Sequence, residues 1–296
     1  MCGFIGFSGN LDNKEAILQK MMDRIVHRGP DMGGMYTDDG IALGFRRLSI
    51  LDLSDAGAQP MANEDKSVVV VFNGEIYNFM ELRRELEAKG HTFHCGADTE
   101  VLIHGYEEYG TELIYRLRGM FAFVLWDAKN KRMFGARDIF GIKPFYYYPV
   151  PDGSGLVFGS EIKAFLEHPK FVKAVNENAL RPYLTLQYSA TEETFFKGVY
   201  KLPAAHYFTY ENGKVTTPFA EIAFNEKGYV KSFVDRRNGR QLVGGLPLNT
   251  FLMAEDVPSA WDNWDIDADI QPKFKDCAEL LNEEVVSNGA AQLRIR

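Results

Sequence analysis

The sequence predicts an α+β fold in which antiparallel sheets carry helices on their outer faces. Two observations lead to this class: the predicted strands follow one another in pairs joined by short turns, and patterns with a helical period lie between the pairs. The length of 296 residues, with 46% hydrophobic and 25% charged residues, fits a globular protein of one or two domains.

The first elements follow from apolar spacing. Apolar residues and glycines over residues 3–7 are typical of a short buried strand. A 3.6-residue apolar period over residues 17–25 predicts a helix, with Asp12 or Asn13 as its cap. Residues 35–53 are predicted to form a hairpin around an Asp-Gly turn.

The next elements are a strand and two helices. A run of valines predicts a fully buried strand over residues 67–73, which an Asn-Gly-Glu sequence is expected to end. Asn78 and Glu81 resemble a capping box at the start of the first helix. Asp98 or Thr99 is expected to cap the second helix.

Paired strands dominate the following part of the chain. We predict hairpins over residues 120–138, 145–159 and 201–215, each with Gly, Asn, Asp or Lys in its turn. Short helices are predicted at 112–118 and 161–167.

The composition changes after about residue 225. Two strands are predicted at 230–234 and 241–243, and the acidic stretch 255–269 shows no helical period. We therefore predict a first domain at residues 1–226 and a distinct, β-rich segment at 227–296.

Charge and cysteine content limit the partners. A formal net charge of −8 argues against binding to nucleic acid or to anionic membrane surfaces. No apolar run of about 18 residues and no signal-peptide pattern occur. The three cysteines Cys2, Cys95 and Cys277 form no disulfide framework, so we expect a cytoplasmic protein.

Cys2 is the first candidate for chemistry. Removal of Met1, which is usual when the second residue is small, would leave Cys2 with a thiol nucleophile and an α-amino base on one residue. A strand that begins beside it would hold this nucleophile rigidly. On these residues alone, a buried small side chain is the more common role for such a cysteine.

Several further motifs accompany Cys2 in a fixed order along the chain. They are Cys2-Gly3, His27-Arg28-Gly29-Pro30-Asp31, Arg46-Arg47-Leu48-Ser49-Ile50, Asn73-Gly74-Glu75-Ile76-Tyr77-Asn78, Asp98-Thr99-Glu100, Gly119-Met120-Phe121-Ala122-Phe123, Ala136-Arg137-Asp138-Ile139-Phe140-Gly141-Ile142-Lys143-Pro144 and Gly159-Ser160-Glu161-Ile162-Lys163. Together they closely resemble the class II glutamine amidotransferase family, and the last three resemble the glutaminase half of glutamine-dependent asparagine synthetases. The resemblance covers residues 1 to about 224. It implies a four-layer αββα N-terminal nucleophile hydrolase sandwich.

The resemblance also implies a reaction, the hydrolysis of L-glutamine to L-glutamate and ammonia through a thioester on Cys2. The side-chain amide of Asn73 and the backbone N–H of Gly74 would stabilise the oxyanion, with Cys2 as the attacking group. Arg47 suits the substrate α-carboxylate. Asp98 and Glu75 suit its α-ammonium group.

Two segments complete the expected site. The stretch Arg47, Leu48, Ser49, Ile50 and Leu51 would hold glutamine through its backbone. The segment His27, Arg28, Gly29, Pro30 and Asp31 would close over the substrate and exclude water.

Each site residue also has an ordinary structural role in other proteins. Arg47 could be a solvated charge on a strand, the Asn73-Gly74 pair could be only a turn, and Asp98 could be only a helix cap. The histidines and cysteine in residues 91–95 suggest a metal site, but no second group of ligands is evident in the sequence, so no metal is expected.

The rest of a synthetase is not evident. Residues 243–248 are glycine-rich but lack the hydroxyl and aspartate of a nucleotide loop, so ATP and Mg²⁺ would belong to a synthetase domain absent from this chain. Residues 248–258 and 260–267 instead resemble an internal fragment of zinc-dependent α-mannosidases. The sequence thus has the organisation of a truncated chimera.

The sequence therefore predicts a glutaminase that needs no cofactor and passes ammonia to a synthetase domain or subunit. One alternative is the glutaminase half of another amidotransferase, such as a glucosamine-phosphate synthase or a phosphoribosyl amidotransferase. The other is a non-catalytic chimeric product, in which the tail disturbs the fold or Met1 persists.

Overall fold

The computed structural model describes residues 2–49, 57–151, 154–188, 191–211, 214–216, 220–224, 230–236, 238–241, 243, 252–253, 275–276, 285–288 and 293–295. The predictions that involve Met1, Ile50, Leu51, residues 244–251, residues 254–274 and Cys277 lie outside the described residues.

Strands outnumber helices in the described part of the chain. The strands are β1 (Gly3–Ser8), β2 (Met32–Thr37), β3 (Ile41–Arg47), β4 (Met61–Ala62), β5 (Val68–Ile76), β6 (Gly119–Asp127), β7 (Arg132–Arg137), β8 (Tyr146–Pro149), β9 (Leu156–Gly159), β10 (Tyr200–Lys201), β11 (Tyr207–Glu211), β12 (Lys214–Thr216), β13 (Ala220–Phe224), β14 (Val230–Asp235), β15 (Arg240–Gln241), β16 (Leu252–Met253), β17 (Lys275–Asp276), β18 (Val285–Asn288) and β19 (Leu293–Ile295). The α-helices are α1 (Lys14–Asp23), α2 (Phe79–Ala88), α3 (Glu100–Tyr109) and α4 (Glu177–Leu186).

Two antiparallel sheets form the body of the protein. The first has the strand order β10-β8-β9-β1-β3-β2, and the second has the order β15-β14-β13-β12-β11-β7-β6-β5-β4. The hairpins β2–β3, β6–β7, β8–β9 and β11–β12 match the predicted strand pairs.

Three apolar cores define four layers. One core lies between the two sheets and includes Phe45 and Val71. A second packs α1 on the first sheet through Leu18, and a third packs α2 and α3 on the second sheet through Leu86 and Leu102. This αββα arrangement is the one expected from the sequence, and it buries both faces of central strands such as β1 and β6.

Strand alternation decides which residues face the space between the sheets. In β1, Phe4 belongs to the inter-sheet core while Ile5 belongs to the core beneath α1. In β5, Val69 and Val71 face the inter-sheet core while Phe72 faces α3. Polar residues in step with the inward positions therefore reach the space between the sheets.

The predicted helices are present, but the side chains predicted to cap them make no capping hydrogen bonds. Asn13 adopts a left-handed conformation, and its side chain makes no capping bond. The Asn78 side chain makes no bond to its own helix and instead bonds the backbone of Arg116 and Arg118. The Asn78 side chain thus fixes the neighbouring 116–118 segment instead of capping its helix.

The predicted end of the valine-rich strand is also wrong. β5 continues through Asn73 and Gly74 to Ile76 and remains paired with β6 throughout. Two predicted short helices are 3₁₀ turns, at Gly110–Tyr115 and Ile162–Glu167. The pairing of β5 with β6 outweighs the turn preference of the Asn-Gly pair.

The C-terminal segment is rich in strands, as predicted. β14 pairs with β13, so the second sheet continues past residue 226. Beyond it, β16 pairs with β17, and β18 pairs with β19. The division into domains at residue 226 stays a prediction. Among the described residues, none of the helices has the length and apolar character needed to cross a bilayer.

Candidate active site

Cys2 lies at the start of β1, where its side chain packs against the inter-sheet core. Gly3 pairs with Arg46 in β3, and continuing this register by one residue places Cys2 opposite Arg47. The backbone N–H of Leu48 lies 3.4 Å from Cys2 Sγ, and the Leu48 carbonyl oxygen lies 3.5 Å from it. The thiol is therefore held by two strands at the edge of the inter-sheet space.

Arg28 fixes the backbone of the nucleophile. Its Nε donates a 3.0 Å hydrogen bond to the Cys2 carbonyl oxygen, and its Nη1 donates a 3.0 Å bond to Glu161. The side chain packs so closely over Gly3 that a Cβ there would lie 2.8 Å from the Arg28 Cδ. Its Nη2 is buried and has no hydrogen-bond partner among the described residues.

Asn73 occupies an inward position of β5, in step with Val69 and Val71. Its side chain is 2% exposed, yet the Nδ2 amide has no hydrogen-bond partner within the described part of the chain. A buried donor of this kind ordinarily finds a partner, because leaving it unpaired costs about 1–3 kcal/mol. The inward face of β5 therefore offers a preorganised donor on the side where Cys2 lies.

The backbone of Gly74 offers a second donor. Gln59 bonds both the N–H and the carbonyl of Phe72, and Asp98 accepts from the N–H of Ile76 at 2.8 Å. Backbone groups of every second residue in a strand point to the same edge of that strand. The N–H of Gly74 therefore points to the edge of β5 at which Gln59 and Asp98 bond Phe72 and Ile76. A Cβ at Gly74 would lie 2.3 Å from the Met120 carbonyl oxygen, so the strand requires glycine there.

Charged groups flank these donors. Arg47 is buried at an inward position of β3, and Glu75 follows Gly74 in β5. Burial raises the pKa of Asp98 to about 6; the Ile76 N–H bond opposes this shift, and the nearby Glu75 carboxylate adds to it. The site thus combines a buried guanidinium on β3, the strand that pairs with β1, with two interacting carboxylates beside the C-terminal end of β5.

The predicted closing segment is bonded to the site at both of its ends. His27 and Arg28 both bond Glu161, at 2.8 and 3.0 Å. Asp31 donates its N–H to the Arg47 carbonyl at 3.1 Å and accepts from the Ser49 N–H at 2.8 Å. The segment therefore lies beside the nucleophile and the 47–49 stretch, and its closure over a substrate stays a prediction.

Between these ends, Gly29 and Pro30 lie close to β3. A Cβ at Gly29 would stand 2.3 Å from the Arg46 carbonyl carbon, so glycine is required where the segment crosses the strand. Pro30 follows it directly and has no N–H that would need a partner there. Leu48 and Ser49 are described as part of the predicted backbone cradle, whereas Ile50 and Leu51 lie outside the described residues.

The sequence did not single out two charged residues of this region. Burial would raise the pKa of Glu161, but hydrogen bonds from Arg28, His27 and Lys163 outweigh it and lower that pKa. Burial lowers the pKa of Lys143, and Arg28 lowers it further, while Asp138, Cys2 and Glu75 act in the opposite direction. Both residues lie in motifs far along the chain from Cys2, so periodicity could not reveal their proximity.

A buried turn positions Lys143. The Asp138 carboxylate is fully buried and accepts backbone N–H bonds of 3.0–3.2 Å from Phe121, Phe140, Ile142 and Lys143. These bonds fix the loop that follows β7 and bring the Lys143 side chain within electrostatic range of the thiol.

The arrangement suits an acyl-transfer reaction. It combines a thiol on a rigid strand, an unpaired amide donor and a backbone N–H on a neighbouring strand, and charges of both signs for an amino-acid head group. Such a site can attack a carbonyl carbon, stabilise the oxyanion and hold a substrate that carries both an ammonium and a carboxylate group.

Comparison with protein families agrees with this geometry. The family model described as the glutamine amidotransferase domain matches residues 1–220. The model described as the glycosyl hydrolases family 38 C-terminal domain matches residues 215–296, in agreement with the mannosidase-like segment expected from the sequence.

Similar curated proteins are asparagine synthetases. Asparagine synthetase [glutamine-hydrolyzing] 1 of Bacillus subtilis (strain 168) is 41% identical over 214 residues, covering 71% of this chain and 33% of that protein. Asparagine synthetase [glutamine-hydrolyzing] 2 of Arabidopsis thaliana is 46% identical over 167 residues, covering 55% of this chain and 28% of that protein. The chain spans about a third of the length of these relatives.

A solved structure shares the fold. The glutamine phosphoribosylpyrophosphate amidotransferase from B. subtilis, complexed with ADP and GMP, superposes with a TM-score of 0.54 at 18% identity, covering 73% of this chain and 48% of that chain. This likeness confirms the predicted N-terminal nucleophile hydrolase fold.

Proposed function

This chain belongs to the glutamine amidotransferase domain family, and on that premise we propose that it hydrolyses L-glutamine to L-glutamate and ammonia at Cys2. The observation that carries the proposal is that two groups border the same space between the sheets. They are the Cys2 thiol, held beside Leu48, and the buried amide of Asn73 on β5, which is unpaired among the described residues.

The proposed chemistry uses only groups of this chain and water. After removal of Met1, the α-amino group of Cys2 takes the thiol proton, and the sulfur forms a bond to the amide carbon of glutamine. The oxyanion that results accepts hydrogen bonds from Asn73 Nδ2 and the Gly74 N–H. The C–N bond then breaks, and the α-amino group of Cys2 passes its proton to the leaving ammonia.

A water molecule completes the turnover. The α-amino group of Cys2 takes a proton from the water as its oxygen attacks the thioester carbon, and the same two donors stabilise the second oxyanion. The C–S bond then breaks to release glutamate, and the α-amino group returns the proton to the sulfur to restore the thiol. No step requires a metal or an organic cofactor.

Substrate recognition follows from the charges. Arg47 supplies the fork-shaped cation that binds the α-carboxylate. Asp98 and Glu75 bind the α-ammonium group, whose positive charge also relieves the repulsion between these two carboxylates. The backbone around Leu48 and Ser49 lines the side of the site next to the thiol.

We further propose that the ammonia serves a synthetase. The relatives at 41% and 46% identity are named asparagine synthetases, so asparagine formation is the use that we favour. ATP and Mg²⁺ would then act in a separate synthetase domain or subunit. The content of three cysteines supports a cytosolic location.

The alternative within the family is that a different acceptor uses the ammonia. The phosphoribosylpyrophosphate amidotransferase shares the fold at 18% identity, which carries no information on the acceptor. A non-catalytic chimera is the alternative from another class. The intact mass separates it from the enzyme, because a retained Met1 removes the free amine that the mechanism uses.

The test is glutamate release by purified protein of known intact mass. We expect Cys2→Ala to abolish release and Cys95→Ala, a matched change at a second half-buried cysteine, to keep it. A Cys2→Ala protein that released glutamate at the wild-type rate would refute the proposal. An equal loss of activity in both folded variants would contradict the proposal, because the loss would then not be specific to Cys2.

A further inference from the structure

Two histidines and a glutamate meet in the outer helical layer, on the side of the second sheet that faces away from Cys2. His91 follows α2, and His104 and Glu107 lie one turn apart on α3. The proposed glutaminase mechanism uses none of them. The sequence showed only the histidines in residues 91–95, and the next helix supplies the second group of ligands, which is not evident from the sequence.

The distances suit a single cation. One ligand atom from each of the three residues lies within 4.8 Å of the others. His104 Nδ1 is 2.8 Å and His91 Nδ1 is 3.6 Å from Glu107 Oε2. Ligands about 2.0–2.1 Å from a tetrahedral Zn²⁺ lie about 3.3 Å from one another, so the ion would replace the 2.8 Å hydrogen bond between His104 and Glu107 and widen that distance by about 0.5 Å.

Carboxylates also lie beside the second ring nitrogen of each histidine, and we call them the outer groups. His91 Nε2 lies 3.4 Å from Glu108, and His104 Nε2 lies 3.7 Å from Glu100. His91 thus turns Nδ1 to Glu107 and hydrogen-bonds a carboxylate through its other nitrogen, as metal-binding histidines commonly do, whereas His104 Nε2 is close to Glu100 but too far from it for a hydrogen bond.

Glu107 is oriented as well. Its Oε1 accepts a 2.7 Å hydrogen bond from Asn63 Nδ2, which leaves Oε2 directed at the two imidazoles. The partners of all three residues are thus arranged so that one ligand atom of each points to a common centre.

The charge balance favours a cation at that centre. Glu100, Glu107 and Glu108 surround two imidazoles whose ring centroids are 5.1 Å apart. Lys89 already pairs with Glu108 at 2.7 Å. Glu100 and Glu107 are therefore the carboxylates left to balance, and one divalent ion between two neutral imidazoles supplies that charge.

We propose that His91 Nδ1, His104 Nδ1 and Glu107 Oε2 bind one divalent transition-metal ion, for which Zn²⁺ best matches two imidazoles and a carboxylate. The ion joins the segment after α2 to the body of α3. Asp98 lies between these two anchors in sequence, so the ion has a structural role in steadying the start of α3.

The experiment uses the full chain after treatment with a chelator. Titration with Co²⁺, followed by its visible absorption, reports coordination by nitrogen and oxygen, and competition with Zn²⁺ gives the relative affinity. We expect one equivalent of Co²⁺ with no intense thiolate charge-transfer band. A thiolate band would contradict the ligand set, because it would assign the metal to a cysteine.

Variants identify the ligands. We expect His91→Gln and Glu107→Gln each to weaken Zn²⁺ binding by at least about 100-fold, and the outer-group variant Glu108→Gln to weaken it by about 10-fold. His94→Gln is the matched control, because this histidine lies in the same segment with its side chain 63% exposed. Absence of binding, or equal binding by His91→Gln and wild type, would overturn the proposal, as would an equal loss in His94→Gln.

Thermal unfolding provides the second measurement. We expect Zn²⁺ to raise the unfolding temperature of wild type and of His94→Gln, but not of His91→Gln. Neither readout depends on glutamine hydrolysis, so a failed glutaminase test would leave this proposal standing. A rise of equal size in His91→Gln would contradict it.

Discussion

Replacement of Asn73 by alanine should separate catalysis from stability. In wild type the Nδ2 amide is buried without a partner among the described residues, while it is positioned to donate to an oxyanion. Asn73→Ala removes this donor and leaves the thiol and its Leu48 contacts in place.

We expect Asn73→Ala to lower kcat without lowering the stability of the protein. Loss of one oxyanion donor lowers kcat by about 10²–10³, or about 2.7–4 kcal/mol. Removal of an unpaired buried donor relieves about 1–3 kcal/mol of desolvation, which offsets the roughly 1 kcal/mol of packing that the amide group contributes. We therefore expect a free energy of unfolding equal to or greater than that of wild type.

Asn176→Ala is the matched control, because this asparagine is also buried but fully bonded. Its Oδ1 caps α4 through the Asn178 N–H, and its Nδ2 donates to Glu193 and to the Thr194 carbonyl. We expect it to lose about 1–3 kcal/mol of stability with kcat unchanged.

The assay is glutamate release under saturating glutamine, combined with urea unfolding of the same preparations. A nearly unchanged kcat in Asn73→Ala would refute the oxyanion role. A loss of stability in Asn73→Ala as large as that in Asn176→Ala would show that the amide is a structural group, and the reasoning from its unpaired state would be wrong.

Three further predictions follow from the same geometry. Since the pKa of Asp98 is raised to about 6, glutamine binding should weaken and kcat/KM should fall as the pH drops through that value. Asp98→Asn should lose this pH limb and about 10–100-fold in kcat/KM at pH 8; a limb that persists in the variant would assign the titration to another group. Gly74→Ala should unfold at a markedly lower temperature, because its Cβ would strike the Met120 carbonyl oxygen, and a thermal scan that matches wild type would contradict that contact. A chain that ends at residue 225 should keep glutamate release and resist protease better than the full chain, and loss of the fold would show that the pairing of β14 with β13 is essential to the sheet.

The layered fold could be predicted because neighbouring residues in the sequence indicate each strand and helix. Alternation in β1 and β5 places Phe4 and Val71 inward, and the same alternation places Cys2 and Asn73 on the space between the sheets. The strands themselves are visible in the order of residues, but both are apolar along their length, so the side that faces the other sheet follows only from the structure.

Other features could not be predicted because they depend on residues far apart in the chain. The turn preference of Asn73-Gly74 lost to the pairing of β5 with β6, and the Asn78 side chain bonds the 116–118 segment instead of its own helix. Lys143 comes within electrostatic range of Cys2 only through the packing of separate strands. A histidine pair on two elements gives no periodic signal either.

The buried Asp138 carboxylate affects which substitutions this protein can accept during evolution. It bonds the backbone of its own loop, whereas Ile139, Phe140 and Ile142 at the tip are 66%, 81% and 55% exposed. The shape of the loop is therefore independent of the side chains it displays. Substitutions at the tip can accumulate without moving Lys143, so a saturation library should tolerate most residues there and almost none at Asp138.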